Sequence, residues 1–269
     1  TNSSEASMYA ANFINSYFEN YKRILQQNYL TQAGVNADEV LNIITVTEEA
    51  TEEDFYFASY LKNYAFLFVI MAITVSATYP ATDATAGEKE RGTLETLLTF
   101  PIKSRDIILG KFFSVSLSSI ITGVLSLLLA YITLILSKDV FSVYANADLA
   151  YSVPALLLGL GIIVVYSFFI SGICIAIASK SKTFKEAQSA LTPLTFISFF
   201  PGMIAFMINV PTSNLLAFVP FLNMTMIFTD INNGIYNLTQ IVILFASSIV
   251  YIAIILYFIV KEYNGEKVL

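Results

Sequence analysis

The chain has 269 residues, 56% of them hydrophobic, and 14 basic residues against 20 acidic ones for a net charge of −6. A water-soluble domain with a mean hydropathy of +0.69 would expose large apolar patches and aggregate, and apolar runs that are continuous rather than alternating disfavour a β-barrel. With no His in the chain, histidine zinc sites, His-based proton relays and Ser–His–Asp triads are excluded.

Residues 1–60 carry no apolar run and read as a water-exposed segment. Residues 1–56 hold nine acidic residues against Lys22 and Arg23. Phe13, Tyr17, Tyr21, Ile24 and Leu25 recur at helical spacing. Asn36 is placed to cap a second short helix, ADEVLNII, and TEEATEED (47–54) reads as extended. The chain opens on Thr with nothing before residue 57 to target it, so a sixth, N-terminal span is expected upstream. From residue 61 onward the chain reads as a transmembrane domain (61–269). Runs of about 20 uncharged apolar residues mark membrane-crossing helices, expected at 61–79, 112–136, 153–178, 191–209 and 238–260. The fold class is therefore an all-α polytopic membrane protein. The single Cys174 lies inside an apolar run and reads as a small core residue.

Basic residues orient such a bundle. Lys89, Arg91, Lys103, Arg105 and Lys111 sit in the 80–111 connection, Lys180, Lys182 and Lys185 in the 179–190 connection, and Lys261 and Lys267 in the tail. These three segments are expected in the cytoplasm of a multi-pass plasma-membrane protein, with residues 1–60 outside. In the fourth span, Pro193 falls in the expected first turn, whereas Pro201 and Gly202 fall mid-span. There a kink or break is expected beside a pathway, or a merely packed kink. The apolar stretch 215–228, interrupted by Pro220, is too short to cross and reads as a re-entrant or interfacial segment on the outer face.

The charged stretch between the first two spans holds the most information. Taken as a helix over 88–100, Glu88, Gly92, Glu95 and Thr99 share one face. Leu94, Leu97 and Leu98 lie roughly opposite, as anchors for the membrane interface. Pairs Glu88–Arg91 and Arg91–Glu95 would lace it. Pro101 ends it, and Ser104 is placed to cap the next helix with Asp106 in its first turn.

The run EKERGTLETLLTFPIKSRDIILGKFF resembles the segment between the second and third spans of type 2 ATP-binding-cassette exporter permeases. Glu88, Lys89, Glu90, Gly92, Thr93, Glu95, Pro101, Gly110 and Lys111 match its pattern. With the ending EYNGEKVL, it looks most like the sodium-efflux permease branch. The resemblance implies a permease that dimerises and binds two cytoplasmic ATPase subunits. Its coupling helix would present Glu88, Glu90, Arg91, Gly92, Thr93 and Glu95 to the ATPase. It implies no catalytic residue and no cofactor in this chain, with ATP and magnesium on the partner, and no nucleic-acid partner. The chain has no G-x-x-x-x-G-K-[ST] phosphate loop, since Gly110-Lys111 lacks the upstream glycine and is followed by Phe112.

The expected function is thus the membrane subunit of an ATP-driven exporter, with sodium as the cargo implied by the branch. Hard cations need clustered oxygens, and the spans offer no carboxylate, so no metal ligands are assigned. An antimicrobial peptide, drug or lipid-like cargo is the alternative, as is a non-transporting sensor or scaffold. An intramembrane protease is disfavoured, because the spans hold neither His nor carboxylate.

Overall fold

The computed structural model describes residues 5–34, 52–140, 148–207 and 210–263. Among them every regular element is helical. The chain divides into two compact units, Thr1–Glu49 and Ala50–Leu269.

The first unit contributes α1, Glu5–Gln32. Tyr17, Tyr21, Ile24 and Leu25 are all exposed on it. It closes where Gly34 takes a positive φ of 74° and its N–H meets the Thr31 carbonyl. The expected second short helix after Asn36, and residues 47–51 of the acidic stretch, lie outside the described residues. Residues 52–54 are not extended: they form the first turn of the next helix.

The second unit is built on α2, Glu52–Thr82. After it come a short α3 (Thr93–Leu98), α4 (Ser104–Val140) and α5 (Val153–Ala178). The chain ends with α6 (Phe184–Met207), a 3-10 turn (Leu216–Phe218), α7 (Leu222–Asn232) and α8 (Leu238–Tyr263). Five helices are long and apolar enough to cross a membrane: Ala58–Glu90, Ser104–Ser137, Val153–Ala178, Phe184–Met207 and Leu238–Glu262. α2 packs against α4, α5 and α6, and α8 lies on α5. Phe66, Leu67, Ile70 and Ile73 of α2 are fully buried, while α8 exposes Val242, Ile249 and Ile254. A helix that is apolar on its outer face as well suits a lipid surround, where core and surface are equally greasy. Inside, the Thr74 and Tyr166 hydroxyls share a buried hydrogen bond of 2.7 Å between α2 and α5.

The fourth span departs from expectation. α6 begins at Phe184, so Pro193 sits in its interior rather than its first turn, and the helix continues through Pro201 without a break. Pro201 removes one N–H, but packing fixes the segment from outside. A Cβ on Gly202 would lie 2.7 Å from Leu67 Cδ1 and 2.9 Å from Thr225 Oγ1. Three helices therefore meet at this backbone.

The 215–228 stretch folds as the 3-10 turn plus α7, wedged among α2, α5 and α6. Phe221, which joins them, has φ 68°, a strained value for a non-glycine residue. Its ring is held edge-on against Tyr166 and Phe169. Phe228 stacks on Phe66 with centroids 3.5 Å apart.

Candidate functional site

The charged connections meet at the end of the bundle where α2 finishes. α2 does not stop at Thr82. It passes through a π-helical turn, Asp83–Gly87, and a last turn, Glu88–Glu90. Such widened turns often mark functional positions. Gly92 then takes φ 69°, ψ 8°, and its N–H bonds to the Lys89 carbonyl. This is a glycine-terminated helix end, and α3 starts immediately after it. Residues 88–100 are therefore not one helix. A left-handed residue cannot continue a right-handed helix, so the polar face expected along one element is split, with Glu88 before the turn and Glu95 on α3 with the leucines.

Three consecutive side chains reach three different helices. The Glu88 carboxylate pairs with the Lys111 ammonium of α4, in a setting where Lys111 is only 8% exposed. The Lys89 ammonium donates to the Ser179 carbonyl at the end of α5, the favourable place for a cation on a helix. The Glu90 carboxylate accepts the Phe184 N–H at 2.6 Å, at the start of α6, where an anion is favoured. The start of α6 is tied further. Glu186 N–H donates to Thr183 Oγ1, and Lys182 N–H to the Glu186 carboxylate, a variant of the capping box in which the carboxylate takes the amide one residue before the cap. Gln188 also reaches Thr82 Oγ1 at 3.4 Å.

Arg91 turns back instead of pairing with Glu88 or Glu95. Its guanidinium donates to the Asp83 carboxylate at 2.9 Å and to the Asp83 carbonyl at 3.3 Å. It passes over Gly87, where a Cβ would lie 3.2 Å from Arg91 Nη1. The Thr93 hydroxyl donates to the Glu88 carbonyl. Glu90, Arg91, Gly92, Thr93 and Glu95 are exposed. Leu94, expected at the membrane surface, is 3% exposed and buried within the protein. Leu97 is half-buried; the Leu98 side chain lies outside the described residues. The expected cap at Ser104 is replaced by backbone: Asp106 and Ile107 N–H groups donate to the Lys103 carbonyl.

Sequence reasoning missed Asp83, Gly87, Ser179 and Phe184. The eight-residue step from Asp83 to Arg91 spans a widened turn and a helix end. No regular-helix spacing rule marks such a pair. At Pro201 and Gly202, the neighbouring Phe196, Ile197, Phe200 and Ile204 are exposed and apolar, so that side of α6 offers lipid contact. No group of three or more His, Cys, Asp or Glu suited to a metal occurs among the described residues.

The arrangement ties the end of α2 to three other helices. The sequence profile of the family described as ABC-2 family transporter protein matches residues 1–257. The ABC transporter permease protein NatB of Bacillus subtilis (strain 168) is 27% identical over 239 residues, which are 87% of this chain and 60% of that protein. The chain thus spans less than two thirds of the relative's length. No solved structure matches.

Proposed function

This chain belongs to the ABC-2 family of transporter proteins, and on that premise we propose that it is the membrane-embedded permease of an ATP-driven exporter. ATP hydrolysis resides on a separate cytoplasmic subunit, with ATP and magnesium bound there. The observation that carries the reading is the junction at residues 88–90: successive side chains bind α4, α5 and α6 in turn. Beyond it, Arg91, Gly92, Thr93 and Glu95 project outward. A push on α3 reaches α2 through the Gly92 turn, and reaches three further helices through Glu88, Lys89 and Glu90. Interior packing transmits such displacement because it resists compression. Two ATPase subunits closing below a pair of permease chains would deliver that push. The basic residues at this end support a cytoplasmic location for it, and in this reading residues 1–60 are outside.

Sodium is the proposed cargo, on the resemblance of the 88–111 segment and of the tail to the sodium-efflux branch. The test is flux. Vesicles holding the chain and the ATPase that purifies with it should move ²²Na⁺ only with ATP. Gly92→Arg, or exchange of Glu90 and Arg91, should abolish that flux while the helical spectrum is unchanged. Wild-type flux in the exchange variant would overturn the assignment of these residues. ATP-driven movement of a drug or lipid without sodium would overturn the cargo.

A further inference from the structure

The opposite end of the bundle holds a different feature. Where α2 begins, α6 ends and α7 ends, a partly open cavity of about 190 Å³ is lined by Ser59, Asn63, Thr212, Thr229, Asp230 and Asn233, together with Tyr60 and apolar neighbours. That volume holds an ion together with some of its water. No Lys or Arg lines it. The polar lining is mostly committed. Ser59 Oγ donates to Asn233 Oδ1 at 2.7 Å, and Asn63 Nδ2 donates to Ser59 Oγ at 3.3 Å. The Thr229 hydroxyl is spent on the Thr225 carbonyl, and the Thr212 carbonyl accepts from Gln240.

Two oxygens stand out. Asn63 is 5% exposed, and its Oδ1 is buried with no hydrogen-bond partner. A buried acceptor left alone costs about 1–3 kcal/mol and calls for an explanation. Asp230 supplies the only charge in the lining. Burial pushes its carboxyl above the usual range, against a hydrogen bond from Thr212 that lowers it. A carboxylate whose burial the Thr212 hydrogen bond only partly offsets and a buried amide oxygen without a partner belong to residues bordering one cavity, and a positive ion is a remedy common to both.

We propose that this cavity is a binding site for a hard monovalent cation, held by Asp230 and the Asn63 Oδ1, with Ser59, Thr212 and retained water completing the shell. Oxygen donors select hard cations. A single carboxylate matches a single positive charge, whereas divalent sites generally gather more. The site is separate from the 88–95 junction and requires neither an ATPase nor transport, so its failure would leave the proposed function untouched.

The test uses the purified whole chain in detergent, in choline buffer at fixed ionic strength, with NaCl, KCl or MgCl₂ replacing choline. A ligand that binds only the folded state raises the unfolding temperature with concentration. Na⁺ or K⁺ should raise it saturably in the wild type. Asp230→Asn should flatten the response, and Asn63→Ala should weaken it at least tenfold in concentration, both with wild-type helical circular dichroism. No saturable response to either monovalent ion in the wild type would overturn the site, whatever the variants do. So would a response confined to Mg²⁺, or an unchanged response in a folded Asp230→Asn.

Discussion

Replacing Gly92 by Ala gives opposite signs for the two ways of folding residues 88–100. In a continuous helix, Ala for Gly would stabilise by about 1 kcal/mol. In the structure Gly92 holds φ 69°, a conformation costing an ordinary L residue roughly 1–2 kcal/mol. A Cβ there meets nothing within 4 Å, so no steric clash adds to the cost and the whole effect is backbone strain. Ala should therefore destabilise by about 1 kcal/mol and Val by more. Asn, which tolerates the left-handed region, should cost least. The assay is unfolding of the purified chain in graded denaturant, with amide exchange at Arg91–Thr93 as the local readout. The order Gly, Asn, Ala, Val from most to least stable supports the turn. Greater stability, or slower exchange at these amides, in Gly92→Ala would refute it.

Glu90→Gln should weaken the bond to the Phe184 N–H by about 1 kcal/mol, because charge-assisted bonds at helix starts are the stronger ones; faster amide exchange in the first turn of α6 would register it. Tyr166→Phe removes the buried hydrogen bond to Thr74, whose hydroxyl keeps the Ile70 carbonyl, and should cost about 0.5–1.5 kcal/mol in unfolding free energy, the range for a hydrogen bond lost without stranding its partner. Gly202→Val puts a branched side chain where even a Cβ meets Leu67 and Thr225 under 3 Å, and should cost about 1–3 kcal/mol. Gly110→Val, by contrast, faces open space and should leave the unfolding midpoint within roughly 0.5 kcal/mol, allowing for the lower helix propensity of Val being offset by losing a helical Gly.

The spans were legible because a run of apolar residues long enough to cross a bilayer is nearly unambiguous. Their ends were not. α6 starts at Phe184 because Glu90 and Thr183 satisfy amides of its first turn and Glu186 takes the Lys182 N–H just before it, and all three partners are polar residues that hydropathy ignores. The charged segment was found by composition, but its shape was misread. Periodicity treats Gly92 as a tolerated flaw in a helix, while the chain uses its positive φ to stop one. Leu94 was assigned to the lipid surface by its face alone; once the helix breaks at Gly92, the same side chain turns into the protein. Lys111 was part of the matching pattern, yet its tie to Glu88 joins residues 23 apart and needs the tertiary fold to appear. The outer cavity was out of reach for the same reason. Ser59, Asn63, Thr212 and Asp230 come from three separate stretches, and none is unusual alone.

The central claim is that the exposed turn beyond Glu90 meets a separate ATPase. The only native cysteine, Cys174, is buried, so Thr93→Cys offers a single accessible thiol. A short thiol-to-amine cross-linker applied to the assembled membrane complex should join position 93 to the ATPase subunit, and should fail to do so from Thr212→Cys at the other end. An ATPase adduct from position 212, or none from position 93 in a complex where the ATPase is present, would contradict the account.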